Sequence, residues 1–204
     1  MSRLNVLYCA NDGYAPFMGT SILSLFKNNM DIEEIKVYCV LDSVSQDNIK
    51  KLNSLAKEFN RQIKIIDSGE INLVLNFVDI PKYRGSNVAN YRLFLDLILD
   101  DSDERVLYLD SDTIVTGSLK PLLELDMQDK ICAVVLDALA SHYKRFVGFS
   151  RGDLYFNSGV MMSFSLAIST AKDTSVGGTS MSLKVPDMES FPPMDGSPNP
   201  ICAS

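Results

Sequence analysis

Two aspartates one residue apart, Asp110 and Asp112, close the run "DSDERVLYLDSD" (Asp101–Asp112), which carries the same Asp-Ser-Asp tripeptide at its start. If the chain stays extended, Asp110 and Asp112 point to one side, because strand side chains alternate with a period of two. Carboxylates held so close repel unless a proton or a cation lies between them. A hard divalent ion such as Mn²⁺ or Mg²⁺ takes oxygen ligands and normally shares its shell with substrate phosphates. The competing reading is a solvated turn with two capping aspartates. Composition cannot separate identical tripeptides, so their position along a strand must.

The elements around them set that position. "LNVLYCA" (Leu4–Ala10), "IKVYCVL" (Ile35–Leu41), "QIKII" (Gln62–Ile66) and "RVLYLD" (Arg105–Asp110) read as strands, the last continuously apolar, as a central strand is. Between them, Pro16–Asn29 reads as a helix with Pro16 in its first turn. Ser45–Phe59 carries Ile49, Leu52, Leu55, Ala56 and Phe59 on one helical face, with Ser45 as cap. Asn87–Leu99 reads as a strongly apolar helix, and Ile131–Asp137 and Tyr155–Phe164 as two further strands. Strands alternating with helices predict βαβ units and a largely parallel sheet covered on both faces. In such sheets ligands bind beyond the carboxyl ends of the strands. Asp110–Asp112 end the fourth strand and are the candidate; Asp101–Asp103 precede it, at the opposite edge, where turn chemistry accounts for them.

A chain of 204 residues with 46% hydrophobic and 22% charged residues suits one ordinary globular domain. Its net charge of −7 argues against a broad nucleic-acid interface. An acidic protein that handles a phosphorylated ligand needs a cation or a local cluster of N–H donors. The apolar start is too short for a signal peptide and no run is long enough to span a bilayer, so the expected compartment is cytoplasmic. Cys9, Cys39, Cys132 and Cys202 lack zinc-type spacing, and the first three sit in strand-like runs, where cysteine acts as a small core residue. From Ser169 to Ser204 half the residues are Ser, Thr, Gly or Pro. The expected division is therefore a domain over 1–164 and a low-complexity tail over 165–204, disordered or loosely attached.

Four separated segments carry a resemblance. "NVLYCANDGYAPFMGTSILSL" (Asn5–Leu25), "NYRLFL" (Asn90–Leu95), "VLYLDSDTIVTGSLKPL" (Val106–Leu122) and "YFNSGVMM" (Tyr155–Met162) resemble, in order, segments of glycosyltransferase family 8. These are retaining enzymes similar to bacterial lipopolysaccharide galactosyltransferases, glucosyltransferases and glycogenin. The resemblance covers about residues 4 to 164. It implies a GT-A-type, Rossmann-like α/β fold, incomplete at the C-terminus. It also implies transfer of a hexose from a UDP-sugar to an acceptor hydroxyl on a surface or lipid-linked glycan, in the cytosol or peripherally at the inner membrane face.

Carried over to this chain, the resemblance makes Asp110 and Asp112 ligands of Mn²⁺ (or Mg²⁺). Ala10, Asn11 and Tyr14 would contact the uridine, with Tyr14 stacking on the base. Arg92, from its helix, and Ser111 would also reach the donor, and Asp137 and Asn157 would border the transferred sugar as catalytic residues. Each has a plainer reading: Tyr14 as the cover of a strand end, Arg92 as the partner of Asp96 at i+4, Asp137 as a helix cap and Asn157 as a turn residue. The family's third metal ligand is a histidine in a downstream His-x-x-Gly-x-x-Lys-Pro-Trp-like segment. That segment and an Asp-Gln-Asp-like one are absent; His142, the only histidine, lies upstream of "YFNSGV" and is expected to be an ordinary surface or helix residue. A nucleotide-sugar-binding remnant with little turnover is thus the alternative to an active transferase.

Overall fold

The computed structural model describes residues 2–127, 130–137, 148–150 and 153–164, together with the backbone of 201–203. His142 and residues 165–200 lie outside the described residues. The chain alternates as its pattern predicts: β1 (Arg3–Asn11), α1 (Ala15–Asn28), β2 (Glu34–Asp42), α2 (Gln46–Glu58) and β3 (Gln62–Asp67). Ser45 caps α2, its hydroxyl accepting from the Asn48 N–H at 3.4 Å. A further helix, α3 (Gly69–Phe77), follows; Ile71 and Leu75 are its buried residues, whereas Leu73 and Phe77 face outwards.

Asn87–Leu99 is not one helix. Val88–Leu93 winds as a 3₁₀ helix, the backbone breaks at Phe94 (φ −119°, ψ 50°), and a single turn, α4 (Leu95–Ile98), follows. Winding at three residues per turn aligns side chains three apart, so Tyr91 and Phe94 both meet the sheet, and Leu95 and Ile98 continue the contact. Apolar spacing alone does not distinguish this from a continuous α-helix.

β4 (Arg105–Leu109), β5 (Thr113–Val115), α5 (Lys120–Leu123), β6 (Cys132–Leu136) and β7 (Phe156–Phe164) complete the domain. The six-stranded sheet runs β3-β2-β1-β4-β7-β6. The first four strands are mutually parallel, while β7 pairs antiparallel with both β4 and β6. The strand order reverses at the β1–β4 junction, which is therefore the topological switch point. One core lies between the sheet and α1 with α2, built on Met18, Ile22, Leu25 and Phe26. The other packs Ile71, Leu75, Tyr91 and Phe94 on Leu7, Val106 and Tyr108. Cys9, Cys39 and Cys132 are buried thiols, as their strand positions imply. The tail contributes β8 (Ile201–Ala203), paired antiparallel with β5.

The first Asp-Ser-Asp copy is more than a turn. Asp101 is exposed, but Asp103 is 1% exposed and sits under β1 and β2. Its carboxylate forms an ion pair with Arg3 at 2.7 Å and accepts from Lys36 at 3.2 Å, and the Tyr38 hydroxyl donates to it as well. Lys36 also pairs with Asp100, which accepts from Lys64 at 2.5 Å. Sequence spacing cannot report this, because Arg3, Lys36 and Lys64 come from three other strands. Removing one partner of a buried ion network strands the others, at a cost of about 3–5 kcal/mol. Asp103→Ala is accordingly expected to lower unfolding free energy by about 3 kcal/mol in urea titration, whereas Asp101→Ala, on the solvent side, stays within about 0.5 kcal/mol.

The same network sets a pH dependence. Hydrogen bonds from Lys36 and Lys64 hold the Asp100 carboxyl well below the usual carboxylate range. A carboxyl depressed in the folded state adds stability above its unfolded pKa of about 4, lost progressively as pH falls below that. Asp100→Asn is expected to flatten the decline of stability between about pH 5 and pH 2, read by thermal unfolding across that range.

Candidate functional site

Parallel pairing of β1 with β4 (Leu7 beside Tyr108) sets the carboxyl ends of both strands side by side. The Ser111 hydroxyl, buried at 6% exposure, donates to the Cys9 carbonyl at 2.8 Å and fastens the two ends together. The Ser111 hydroxyl proton is thereby committed to the sheet, which leaves its oxygen lone pairs and backbone for other contacts. The loop after β1 and the acidic pair after β4 thus share one edge, the one that the switch point selects.

Asp110–Thr113 is a turn and not a continued strand. Thr113 N–H donates to the Asp110 carbonyl at 3.2 Å, and its hydroxyl does so at 2.8 Å. The extended, period-two geometry expected for Asp110 and Asp112 is therefore replaced by a turn that carries both carboxylates to the surface. Asp112 is exposed, and the Asp110 side chain is 43% exposed.

Asp110 is held from three directions. Its backbone N–H donates to the Gly159 carbonyl at 2.8 Å, which extends the β4–β7 pairing by one residue. The Tyr108 hydroxyl donates to Oδ1 at 2.7 Å, since residues two apart on β4 share a face. Burial, then the nearby Cys9 and Asp110, push the Tyr108 phenol well above its ordinary pKa, so it stays protonated and donates. Arg92 lies 3.7 Å from the same Oδ1, with its guanidinium 4.6 Å from the centre of the Tyr108 ring. Arg92 is itself anchored by the Ala89 carbonyl at 2.8 Å and the Ser158 carbonyl. It reaches the site from the 3₁₀ segment, not from an α-helix.

Asn157 opens β7 opposite Val135, where the β6–β7 register shifts. Its side-chain oxygen accepts from the Gly159 N–H at 2.7 Å, closing a tight loop against Asp110. A Cβ at Gly159 would lie 2.4 Å from Asp110 Oδ2 and 2.9 Å from Asn157 Oδ1, so only glycine allows both side chains to close on this point. Asp137 directly follows β6, its N–H donating to the Tyr155 carbonyl at 3.0 Å.

On the β1 side, Ala10 is fully buried at the strand end. Asn11 folds its side chain back to accept from the Tyr14 N–H at 3.2 Å. Tyr14 is 52% exposed and tilts against Phe17, itself 58% exposed, with ring centres 5.9 Å apart. Two open aromatic faces beside a strand end suit a flat heterocycle. Asp12 braces the loop from outside by accepting from the Ser45 N–H and the Asn48 amide, each at 2.8 Å; these bonds lower its pKa.

Residues from four parts of the chain thus meet here: the β1 loop, Arg92, Asp110–Asp112 and Asn157–Gly159. Tyr108, Gly159 and Phe17 join them without having been singled out by spacing. For Gly159 a signal existed in the Asn-Ser-Gly turn residues inside an apolar run. Two cavities of about 750 and 570 Å³ lie at the opposite edge, lined by Lys36, Lys64 and Asp100 or by Arg3 and Arg105.

The donor set suits a hard cation in part. Asp110 and Asp112 offer carboxylate oxygens on partly or fully exposed side chains, and Oδ2 of Asp110 takes up the space beside Gly159 where a Cβ would lie. Among the described residues no three His, Cys, Asp or Glu side chains converge as a full metal shell. Two protein oxygens are what a cation completed by phosphates and water needs. Gly159→Ala forces Asp110 or Asn157 aside, and overpacking of this kind costs about 1–3 kcal/mol; urea unfolding of the variant is expected to show a loss in that range.

Comparison with known proteins agrees with this geometry. A protein of Bacillus subtilis described as General stress protein A is 29% identical over 160 residues, covering 78% of this chain and 55% of that one. An Escherichia coli lipopolysaccharide 1,2-glucosyltransferase is 28% identical over 168 residues, covering 78% and 46%. The chain therefore spans about half the length of these curated relatives. The crystal structure of galactosyltransferase LgtC with donor and acceptor sugar analogs superposes with a TM-score of 0.67 at 26% identity, over 79% of this chain and 58% of that one. Mouse xyloside xylosyltransferase 1, at 15% identity and a TM-score of 0.62, shares the fold. Shared architecture, an acidic pair at the switch point and a profile match over residues 5–173 together make this chain a member of glycosyl transferase family 8, with the GT-A-like fold of that group.

Proposed function

We propose that the chain is the donor-binding part of a metal-dependent, retaining glycosyltransferase that moves a hexose from a UDP-sugar to an acceptor hydroxyl. The observation that carries this reading is the Asp110 carboxylate at the β1–β4 switch point, with Arg92 at 3.7 Å and one oxygen packed beside Gly159. The relatives' names, a lipopolysaccharide glucosyltransferase and a galactosyltransferase complexed with sugar analogs, support a glycan acceptor and a hexose donor. No described helix is long and apolar enough to cross a membrane.

Each residue has a task on this reading. Tyr14 and Phe17 cover the base, and Asn11 and the Ala10 backbone meet the uridine. Arg92 neutralises the diphosphate as the glycosidic bond to it breaks, when negative charge accumulates on the leaving oxygen. Asp110 and Asp112 hold Mn²⁺ or Mg²⁺, which when bound supplies Lewis-acid stabilisation of that leaving diphosphate. Asp137 and Asn157 border the sugar and orient its reacting carbon toward the acceptor hydroxyl.

Calorimetry of UDP binding tests this. Affinity is expected to rise with Mn²⁺ and to fall at least tenfold, about 1.4 kcal/mol, in Asp110→Ala. Metal-independent UDP affinity overturns the reading. Release of UDP from UDP-glucose or UDP-galactose separates an active transferase from a domain that binds the nucleotide sugar without turnover.

A further inference from the structure

Asp110 is half-exposed, yet one of its two carboxylate oxygens is not free to move. Oδ1 accepts from the Tyr108 hydroxyl at 2.7 Å and lies 3.7 Å from Arg92 Nη1. Tyr108 is 4% exposed, and its ring is wedged into the core that the 3₁₀ segment and α4 lay on the sheet. The Arg92 guanidinium covers that ring at 4.6 Å and is tied by two backbone carbonyls, so it cannot swing freely either. Oδ2 has a different environment: it packs beside Gly159, in space that a Cβ there would take. An unsupported surface aspartate samples several rotamers, whereas this one is bolted to the core through Oδ1 while its side chain stays 43% exposed to solvent.

We propose that Tyr108 is a positioning residue for ligand binding: its phenol holds Asp110 Oδ1 so that Oδ2 is the oxygen offered to the cation and diphosphate of the donor. This deepens the function proposed above and rests on it. The logic is that of partners which orient a ligating group from behind and make it a better ligand; losing them commonly costs ten- to hundredfold in metal affinity. Tyr108 touches neither sugar nor nucleotide on this assignment and acts through Asp110 alone.

Tyr108→Phe removes one oxygen and keeps the ring in its slot, so circular dichroism is expected to report an unchanged fold. The informative measurements are UDP affinity by calorimetry with Mn²⁺ and with chelator, and Mn²⁺ binding followed by electron paramagnetic resonance. Tyr108→Phe is expected to weaken Mn²⁺ binding and Mn²⁺-dependent UDP affinity ten- to hundredfold, with chelator-insensitive UDP affinity unchanged. In an Asp110→Asn background the same change should have no further effect, because a residue acting through another is not additive with it. Gly159→Ala, which crowds Oδ2 from the other side with Tyr108 intact, should reproduce the loss.

Wild-type metal dependence retained in Tyr108→Phe overturns the proposal and leaves the donor-site reading standing. Equal weakening with and without Mn²⁺ also overturns it, as that marks a general structural role. Undiminished Mn²⁺ binding in Gly159→Ala overturns the assignment of Oδ2, even if the phenylalanine variant does not fold. Absence of Mn²⁺-dependent UDP binding in the wild type overturns both.

Discussion

The site depends on the parallel pairing of β1 with β4. The sheet continues from β1 into β2 and β3 on one side, and from β4 into β7 and β6 on the other, the arrangement that opens a crevice at the carboxyl ends of the two central strands. The turn after β4 and the loop after β1 are therefore free to face one another, pinned by the hydroxyl of Ser111 on the carbonyl of Cys9. Every candidate ligand contact takes its position from this junction. Tyr108, Asp110 and the residues that support them are carried to one face by strand alternation.

The two Asp-Ser-Asp tripeptides show how far burial and company decide what a carboxylate does. Asp103, at the amino end of β4, is enclosed and compensated by Arg3, Lys36 and Tyr38. It has no open oxygen to offer a ligand, and its role is to satisfy cations that the sheet edge half-buries. Asp110, at the other end, is anchored through Oδ1, rests Oδ2 beside Gly159 and keeps its side chain 43% exposed. A charge that is partly desolvated and only partly compensated is poised for a counter-ion.

β7 converts a Rossmann-like half into a binding edge. Because it runs antiparallel to β4, its beginning lies against the end of β4 and brings Asn157 and Gly159 to Asp110. The register shift opposite Val134 and Val135 provides the slack for this loop. Arg92 is delivered from the other core by a segment wound as 3₁₀, whose break at Phe94 lets two successive apolar residues pack on the sheet.

Much of this was legible in the residues alone. Apolar runs and their helical interludes mark β1, α1, β2, α2, β3 and β4, and the place of Asp110 at the end of an apolar strand singles it out from Asp101 and Asp103. Those features are local, arising from chain periodicity and from the rule that loops follow strands. The tertiary structure alone decided that β7 runs antiparallel, that Asp103 is buried, that the Ser111 hydroxyl is tied to the Cys9 carbonyl, and that Tyr108 and Gly159 frame Asp110. Apart from the Tyr108–Asp110 bond, which spans two residues but needs the turn after β4, each of these rests on contacts between residues dozens of positions apart, or on the room left beside one Cα. Hydrophobic pattern carries no information about either, because it records which side chains avoid water but not which partners they find.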